Sequence, residues 1–166
     1  FIGTTDNKPL VFKTNNTLSG KIDPVPNNTF FGNSAGMHTN GGANNSFFGQ
    51  YAGQSNTTGI GNLFAGHKIV GNTNVFLGQG AGKSNTFSSK IVCIGEDAGF
   101  NNLRDGVVAI GANALYSSIL GDYSTAIGFQ SMYSNTYGDE NTAIGYQSLY
   151  SNTLGSRNTA VGVQAL

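Results

Sequence analysis

Glycines recur at a nearly constant interval along most of this chain, and each closes a short apolar segment such as residues 141–145. The nine glycines that anchor the pattern are Gly32, Gly49, Gly66, Gly78, Gly95, Gly111, Gly128, Gly145 and Gly162. Counted along the chain, their successive spacings are 17, 17, 12, 17, 16, 17, 17 and 17. Because a period this short cannot hold two helices per unit, the chain is predicted to be a tandem array of strands.

Each period divides into four segments. The four residues before the glycine, as in 158–161, are predicted to form one strand, and about five after it, as in 146–150, a second. Between periods lie Asn, Thr, Ser and Gly, which tolerate left-handed conformations and cap their own turns. The predicted fold is all-β, a parallel β-roll or β-solenoid of about nine coils with repeats of about 17 residues. Stacking at about 4.8 Å per coil makes a rod about 40 Å long.

The N-terminal residues do not follow the repeat. Residues 10–14 read as a short strand, and Pro24 and Pro26 close the segment. We therefore expect a small N-terminal β segment over residues 1–27 and a tandem-repeat β-roll over residues 28–166. The chain opens without Met, so it is expected to be an excerpt of a longer protein.

We call the residues that share one position of the repeat a column. In two of these columns the side-chain size changes in opposite directions along the chain. Two residues before the anchor stand Phe30, Phe47, Phe64, Phe76 and Cys93, then Ala109, Ala126, Ala143 and Ala160. Four residues after it stand Gly36, Gly53, Val70, Gly82 and Gly99, then Leu115, Met132, Leu149 and Leu166. A large side chain in one column accompanies a small one in the other, as expected if both fill one interior. Val70, opposite Phe64, departs from this rule just before the shortest spacing.

A third apolar column immediately precedes the anchor. Neighbouring side chains on a strand point to opposite faces, so this column cannot share the interior with the residues before it. A thin coil would leave it uncovered as an apolar patch, which self-association about a rotation axis would bury. The candidates for an intersubunit core are Phe31, Phe48, Leu77, Ile94, Ile110, Ile127, Ile144 and Val161.

Residues 141–145 and their copies resemble the head repeats of trimeric autotransporter adhesins, the YadA-like head, whose pattern reads Asn-Ser-Val-Ala-Ile-Gly. Residues 1–13 also resemble segments that precede such repeats in bacterial surface and tail-fibre-like proteins. The resemblance covers residues 28–166, and its specificity comes from recurrence. It implies a homotrimeric left-handed β-roll, intertwined or side by side. The longer period and the Phe residues of the first half depart from the adhesin pattern, so architecture is carried over and ligand is not.

From this resemblance we expect a structural and adhesive segment of an extracellular trimeric fibre. Such a segment would serve as a spacer shaft and contact a cell-surface receptor, a glycan or a matrix protein. The fibre would belong to a bacterial cell surface or to the tail of a phage or contractile injection device. The alternative is a carbohydrate-binding module that uses a tyrosine column or the protruding turns.

Two further columns are candidate ligand sites. Asp105, Asp122 and Asp139 stand six residues before their anchors, so stacked carboxylates would either bind Ca²⁺ or lie in solvated turns and bond the backbone. Five residues after the anchor stand Tyr116, Tyr133 and Tyr150. A stacked aromatic column either binds the apolar faces of sugar rings or seals a sheet edge or interface.

The sequence supports neither catalysis nor binding to nucleic acid, nor insertion into a membrane. His38 and His67 stand at different repeat positions, and no G-x-x-x-x-G-K-[ST] phosphate loop occurs, so neither an enzyme nor a cofactor is expected. The formal net charge is +0 and the eight Lys and Arg residues are scattered, which argues against nucleic acid. No apolar run approaches the roughly 18 residues of a membrane span, so this segment is not expected to insert into a membrane. Cys93, between two apolar neighbours, is expected to be a buried hydrophobe.

Overall fold

A computed structural model describes residues 6–54, 56–65 and 72–166, and within them the chain is all-β and contains no helix. Residues 1–5 and three positions considered above, Gly66, His67 and Val70, lie outside the described residues. Eleven strands form one sheet in sequence order. They are β1 (Leu10–Thr14), β2 (Thr17–Asp23), β3 (Asn28–Phe31), β4 (Ser46–Phe48), β5 (Leu63–Ala65), β6 (Val75–Leu77), β7 (Val92–Ile94), β8 (Val108–Ile110), β9 (Thr125–Ile127), β10 (Thr142–Ile144) and β11 (Thr159–Val161).

The strand pairing defines a parallel β-solenoid. From β3 to β11 each strand pairs in parallel with the next, equivalent positions facing each other, as Thr142 faces Thr159. In seven of these eight pairings the partners' residue numbers differ by 16 or 17, and between β5 and β6 they differ by 12. The predicted all-β solenoid and its repeat length are therefore confirmed. The solenoid comprises about seven full turns between nine parallel strands in the described part of the chain.

The N-terminal segment is a hairpin that extends the same sheet. β1 and β2 pair antiparallel, with an irregularity between Phe12 and Lys13, and β2 pairs antiparallel with β3. The change to parallel pairing therefore falls at β3, next to the division expected at residue 27. The hairpin covers the first parallel strand, whose backbone groups would otherwise form an open sheet edge.

The predicted second strand is wrong in the coils whose residues after the anchor are described; for Gly66 these residues lie outside the described ranges. After Gly145 the chain forms consecutive turns, in which Gln147 and Leu149 have φ values of 52° and 50°. The N–H of Gln147 donates to the carbonyl of Phe129 in the preceding coil, and that of Leu149 donates to Ala165 in the following coil, both at 2.9 Å. Left-handed residues at alternate positions turn these N–H groups toward opposite neighbours, so the stacking is hydrogen-bonded although the residues are not extended.

The opposed size columns do share the interior. The rings of Phe30 and Phe47 stack with centroids 4.8 Å apart, and those of Phe47 and Phe64 lie 4.7 Å apart. A Cβ added at Gly36 would lie 2.6 Å from the Phe30 ring. In the second half Leu115, Met132 and Leu149 are buried in the same cluster as the alanines, whereas Leu166 in the last coil is 81% exposed. The predicted exchange of volume is thus confirmed, and glycine is required opposite Phe30 and Phe47, where an added Cβ would meet the ring.

Cys93 belongs to the same interior column and is fully buried. Its removal from water disfavours the thiolate and raises the pKa of the thiol to about 12. The expected buried hydrophobe is confirmed, because a thiol with this pKa is inert near neutral pH.

Buried asparagines form a ladder that was not predicted from the sequence. Four residues before the anchor, the Oδ1 of Asn28 accepts bonds from the N and Nδ2 of Asn45, at 2.9 and 3.1 Å. The Nδ2 of Asn45 also donates to the Gly59 carbonyl at 2.9 Å, which ties the strand to the turn. Asn62 continues the ladder, since its Nδ2 donates to the Oδ1 of Asn45 at 2.9 Å. These amides are satisfied inside the coil, so their burial is not penalised.

Candidate interaction surfaces

The outer face of the parallel strands is uncharged, and its column next to the anchor is apolar. Residues one and three before each anchor point outward, and none of those in β3 to β11 is charged. In the column next to the anchor, the exposed fraction is 44% at Phe48, 39% at Ile144 and 67% at Val161. The column also includes Phe31, Leu77, Ile94, Ile110 and Ile127 as predicted. At about 4.8 Å per strand this strand face is about 40 Å long.

The strand face widens around the glycine bend in the last three coils. Phe129, Tyr146 and Val163, each directly after an anchor, are 44%, 46% and 72% exposed. The rings of Phe129 and Tyr146 stack with their centroids 5.7 Å apart. These residues were not predicted as a site, although their constant position after the anchor was a usable signal. They add a second apolar column beside Ile127 and Ile144.

The predicted tyrosine column exists and is longer than expected. Centroids lie 5.2 Å apart between Tyr116 and Tyr133 and 5.3 Å apart between Tyr133 and Tyr150. Phe100 extends the stack, 5.0 Å from Tyr116, and the ammonium of Lys83 lies 5.0 Å from the Phe100 centroid. The rings cover one another's faces, so mainly their edges and hydroxyls remain accessible. A sugar would find few free aromatic faces here, which favours the structural interpretation of the column.

Replacing Tyr133 by alanine is expected to lower the free energy of unfolding by about 2 kcal/mol, since it removes two ring contacts and part-buried apolar area. Tyr133→Phe keeps the ring and is expected to change it by less than about 0.5 kcal/mol. Urea unfolding followed by circular dichroism measures both. A larger loss in the Phe variant than in the Ala variant would contradict a role based on stacking.

The aspartate column is engaged with the backbone of neighbouring coils. The Oδ1 of Asp105 accepts the N–H of Ser89 at 2.8 Å, and that of Asp139 accepts the N–H of Asp122 at 2.9 Å. Ser156 continues the pattern by accepting the N–H of Asp139 at 3.0 Å. Within residues 6–54, 56–65 and 72–166, no group of three or more His, Cys, Asp or Glu side chains is placed to hold a metal ion. These hydrogen bonds give the carboxylates of Asp105 and Asp139 a structural role, and the calcium site stays a prediction.

Comparison with protein-family models, with characterised proteins and with solved structures finds no match to this chain. The described residues contain no helix that is long and apolar enough to cross a membrane. What the molecule does must therefore be argued from its own surfaces.

Proposed function

We propose that this chain is a structural and adhesive segment of an extracellular homotrimeric fibre, with no catalytic role. The observation that carries the proposal is the strand face, whose column next to the anchor is uncharged and apolar at every strand. In a single chain this column is 37–44% exposed at Phe31, Phe48, Leu77, Ile94 and Ile144. Monomeric soluble proteins rarely expose contiguous apolar patches of this extent, and a rotation axis is the usual way to cover one. The resemblance to adhesin head repeats supports three chains. The fibre would stand on a bacterial cell surface or in a phage or injection-device tail.

The mechanism we propose is mechanical and multivalent. Backbone hydrogen bonds run along the solenoid axis and therefore directly oppose stretching of the rod. Among the described residues, each strand contacts only the strands next to it in the sheet. We take the segment to have nine coils when its first and last strands are counted. Three identical chains would present three copies of any receptor contact, and linked weak contacts gain avidity without any new contact.

Introducing charge into the strand face tests the assembly. The double variant Ile127→Asp and Ile144→Asp is expected to lower the solution mass from three chains to one, because burying two carboxylates per chain without partners is strongly unfavourable. Light scattering coupled to size-exclusion chromatography measures the mass, and circular dichroism verifies the fold.

A matched control places the same charge elsewhere on two consecutive coils. Tyr137→Asp with Leu154→Asp changes two turn side chains that are 52% and 67% exposed, and it is expected to keep the mass of three chains. A monomeric wild-type chain would refute the proposed trimer. So would a folded strand-face double variant whose mass is unchanged.

A second candidate function, a carbohydrate-binding module, is favoured by two aromatic side chains on the turns, Phe87 and Tyr123, which are 83% and 65% exposed. Exposed aromatic rings with uncovered faces are the surface that an apolar sugar face requires. This candidate therefore belongs on the turns and not on the tyrosine column, where ring faces cover one another.

A further inference from the structure

A concave depression of about 300 Å³ lies on the turn side of the solenoid. It spans three consecutive coils and is lined by Phe87, Ser88, Leu103, Arg104, Asp105, Asp122 and Tyr123. This volume is at the lower end of the range for small-molecule sites, so it suits one small ring and not an extended ligand.

The depression coincides with a one-residue shortening of the repeat. The numbers of paired residues rise by 16 from β7 to β8, whereas they rise by 17 from β9 to β10. In the regular turn the Nδ2 of Asn135 donates to Gly138, three residues on, at 2.8 Å. In the short turn the Nδ2 of Asn102 donates to Arg104, only two residues on, at 2.9 Å. The missing residue therefore falls within this turn, and we attribute the concavity to it.

Tyr123 provides an open aromatic face beside the depression. A Cβ added at Gly106 in the preceding coil would lie 2.5 Å from the Cδ1 of Tyr123, so the ring lies directly over that glycine. Gly106 lies against one side of the ring, and the residue as a whole is 65% exposed. Phe87 supplies a second, 83% exposed ring two coils earlier. Neither ring belongs to the stacked tyrosine column, and both are exposed.

Polar groups with unused bonding capacity lie among these rings. The Nε of Arg104 is buried and has no hydrogen-bond partner among the described residues. Asp105 uses one carboxylate oxygen to accept the Ser89 N–H, which leaves its other oxygen available. Asp122 bonds through its backbone N–H, which donates to Asp139. The site thus combines a cationic donor with two anionic acceptors and carries a formal charge of one negative unit.

We propose that this depression binds a neutral hexopyranose unit of a glycan. The sugar places an apolar ring face on Tyr123, since aromatic faces are negative and attract the polarised C–H groups of the ring. Its hydroxyls accept from Arg104 and donate to Asp122, which are charge-assisted hydrogen bonds. The negative charge of the site disfavours acidic sugars.

The proposal gives a ligand to the contact role proposed above, and to that extent it rests on that function. Its geometry comes from one chain, so it does not depend on the trimer. If three chains assemble, each fibre segment carries three such sites, and the weak affinity of one site is multiplied by avidity.

Titration of the intact chain with methyl β-D-galactopyranoside and methyl β-D-glucopyranoside tests the site. A ligand of about a dozen heavy atoms is expected to bind with a Kd on the order of 1 mM, which isothermal calorimetry and NMR titration can both measure. Tyr123→Ala and Arg104→Met are each expected to weaken binding about tenfold or more. Because the side chain of Tyr123 is exposed, Tyr123→Ala is expected to leave the unfolding curve unchanged.

Tyr137→Ala is the matched control, because Tyr137 is also an exposed turn tyrosine, at 52%, but does not line the depression. It is expected to bind both glycosides as the wild type does. Failure of the wild type to bind either glycoside overturns the proposal, as does unchanged binding in folded Tyr123→Ala. Loss of binding in Tyr133→Ala with retention in Tyr123→Ala would move the site to the tyrosine column. The fibre proposal is judged by solution mass, so the two can fail separately.

Discussion

Gly53→Leu is expected to destabilise the wild-type solenoid by about 3 kcal/mol, but to cost almost nothing further in a chain that already carries Phe47→Ala. Gly53 has φ 59°, and a Cβ there would overlap the ring of Phe47. Overpacking costs about 1–3 kcal/mol, and a left-handed side chain adds about 1 kcal/mol. With alanine at position 47, the leucine at position 53 would fill the space beside that alanine, as Leu149 does opposite Ala143. The φ of Leu149 is also positive, at 50°.

Phe47→Ala alone is expected to cost about 4 kcal/mol, because it opens a cavity between stacked rings. The double variant should therefore lose less stability than the sum of the two single variants, by about 3 kcal/mol. Urea unfolding of the wild type, both single variants and the double variant completes the cycle. Simple additivity of the two losses would show that the columns do not fill the same space.

Gly145→Ala is expected to cost about 4 kcal/mol through two separable effects, strain and overlap. The first is backbone strain, since Gly145 has φ 134°, a region that essentially only glycine adopts. The second is steric, since a Cβ would lie 2.7 Å from the carbonyl carbon of Gly162 in the next coil. Relieving that overlap would separate the coils and stretch the 2.8 Å hydrogen bond from Gly162 N–H to the Ile144 carbonyl.

Gly162→Ala isolates the strain from the overlap. Gly162 has φ 129°, but a Cβ there would approach nothing more closely than the Cβ of Ala165, at 4.0 Å. We expect it to cost about 2 kcal/mol, the strain alone. Thermal and urea unfolding of both variants measure the difference. Equal losses would mean that the close approach of successive coils at the anchor glycine does not limit the residue type.

The strands and their register were predictable from the sequence because the anchor glycine marks a fixed point in every coil. Its positive φ, 134° at Gly145 and 129° at Gly162, excludes other residues, so the spacing of glycines reports the spacing of the coils. The exchange of side-chain volume between the two interior columns was predictable for a similar reason. Phe47 accompanies Gly53, whereas Ala143 accompanies Leu149. A coil of constant cross-section must conserve its internal volume.

The second strand was predicted wrongly because apolar and polar residues also alternate in a turn whose φ changes sign at alternate positions. Gln147 and Leu149 adopt left-handed conformations, which the conformational propensities of Gln and Leu do not predict. The asparagine ladder was missed since Asn28 and Asn45 were assigned only as the first residues of strands, whereas their side-chain amides bond to one another inside the coil.

The candidate sites were predictable to different degrees. Tyr116, Tyr133 and Tyr150 share one repeat position, so their stacking follows directly from the period. Phe87 and Tyr123 occupy different repeat positions and different coils, and both line one depression beside the shortened turn. Aligning the repeats on their anchor glycines compares residues at the same repeat position, so it does not reveal a site formed by residues from different positions.

The sequence by itself determined the period, the positions of the parallel strands and the composition of each column, because these depend on residue types at fixed distances along the chain. Only the tertiary structure decided which groups remain accessible. Closing each turn buried the faces of the tyrosine column, tied Asp105 and Asp139 to backbone N–H groups and left Tyr123 open. Accessibility depends on how adjacent coils cover one another, and that covering arises only when the chain is stacked in three dimensions.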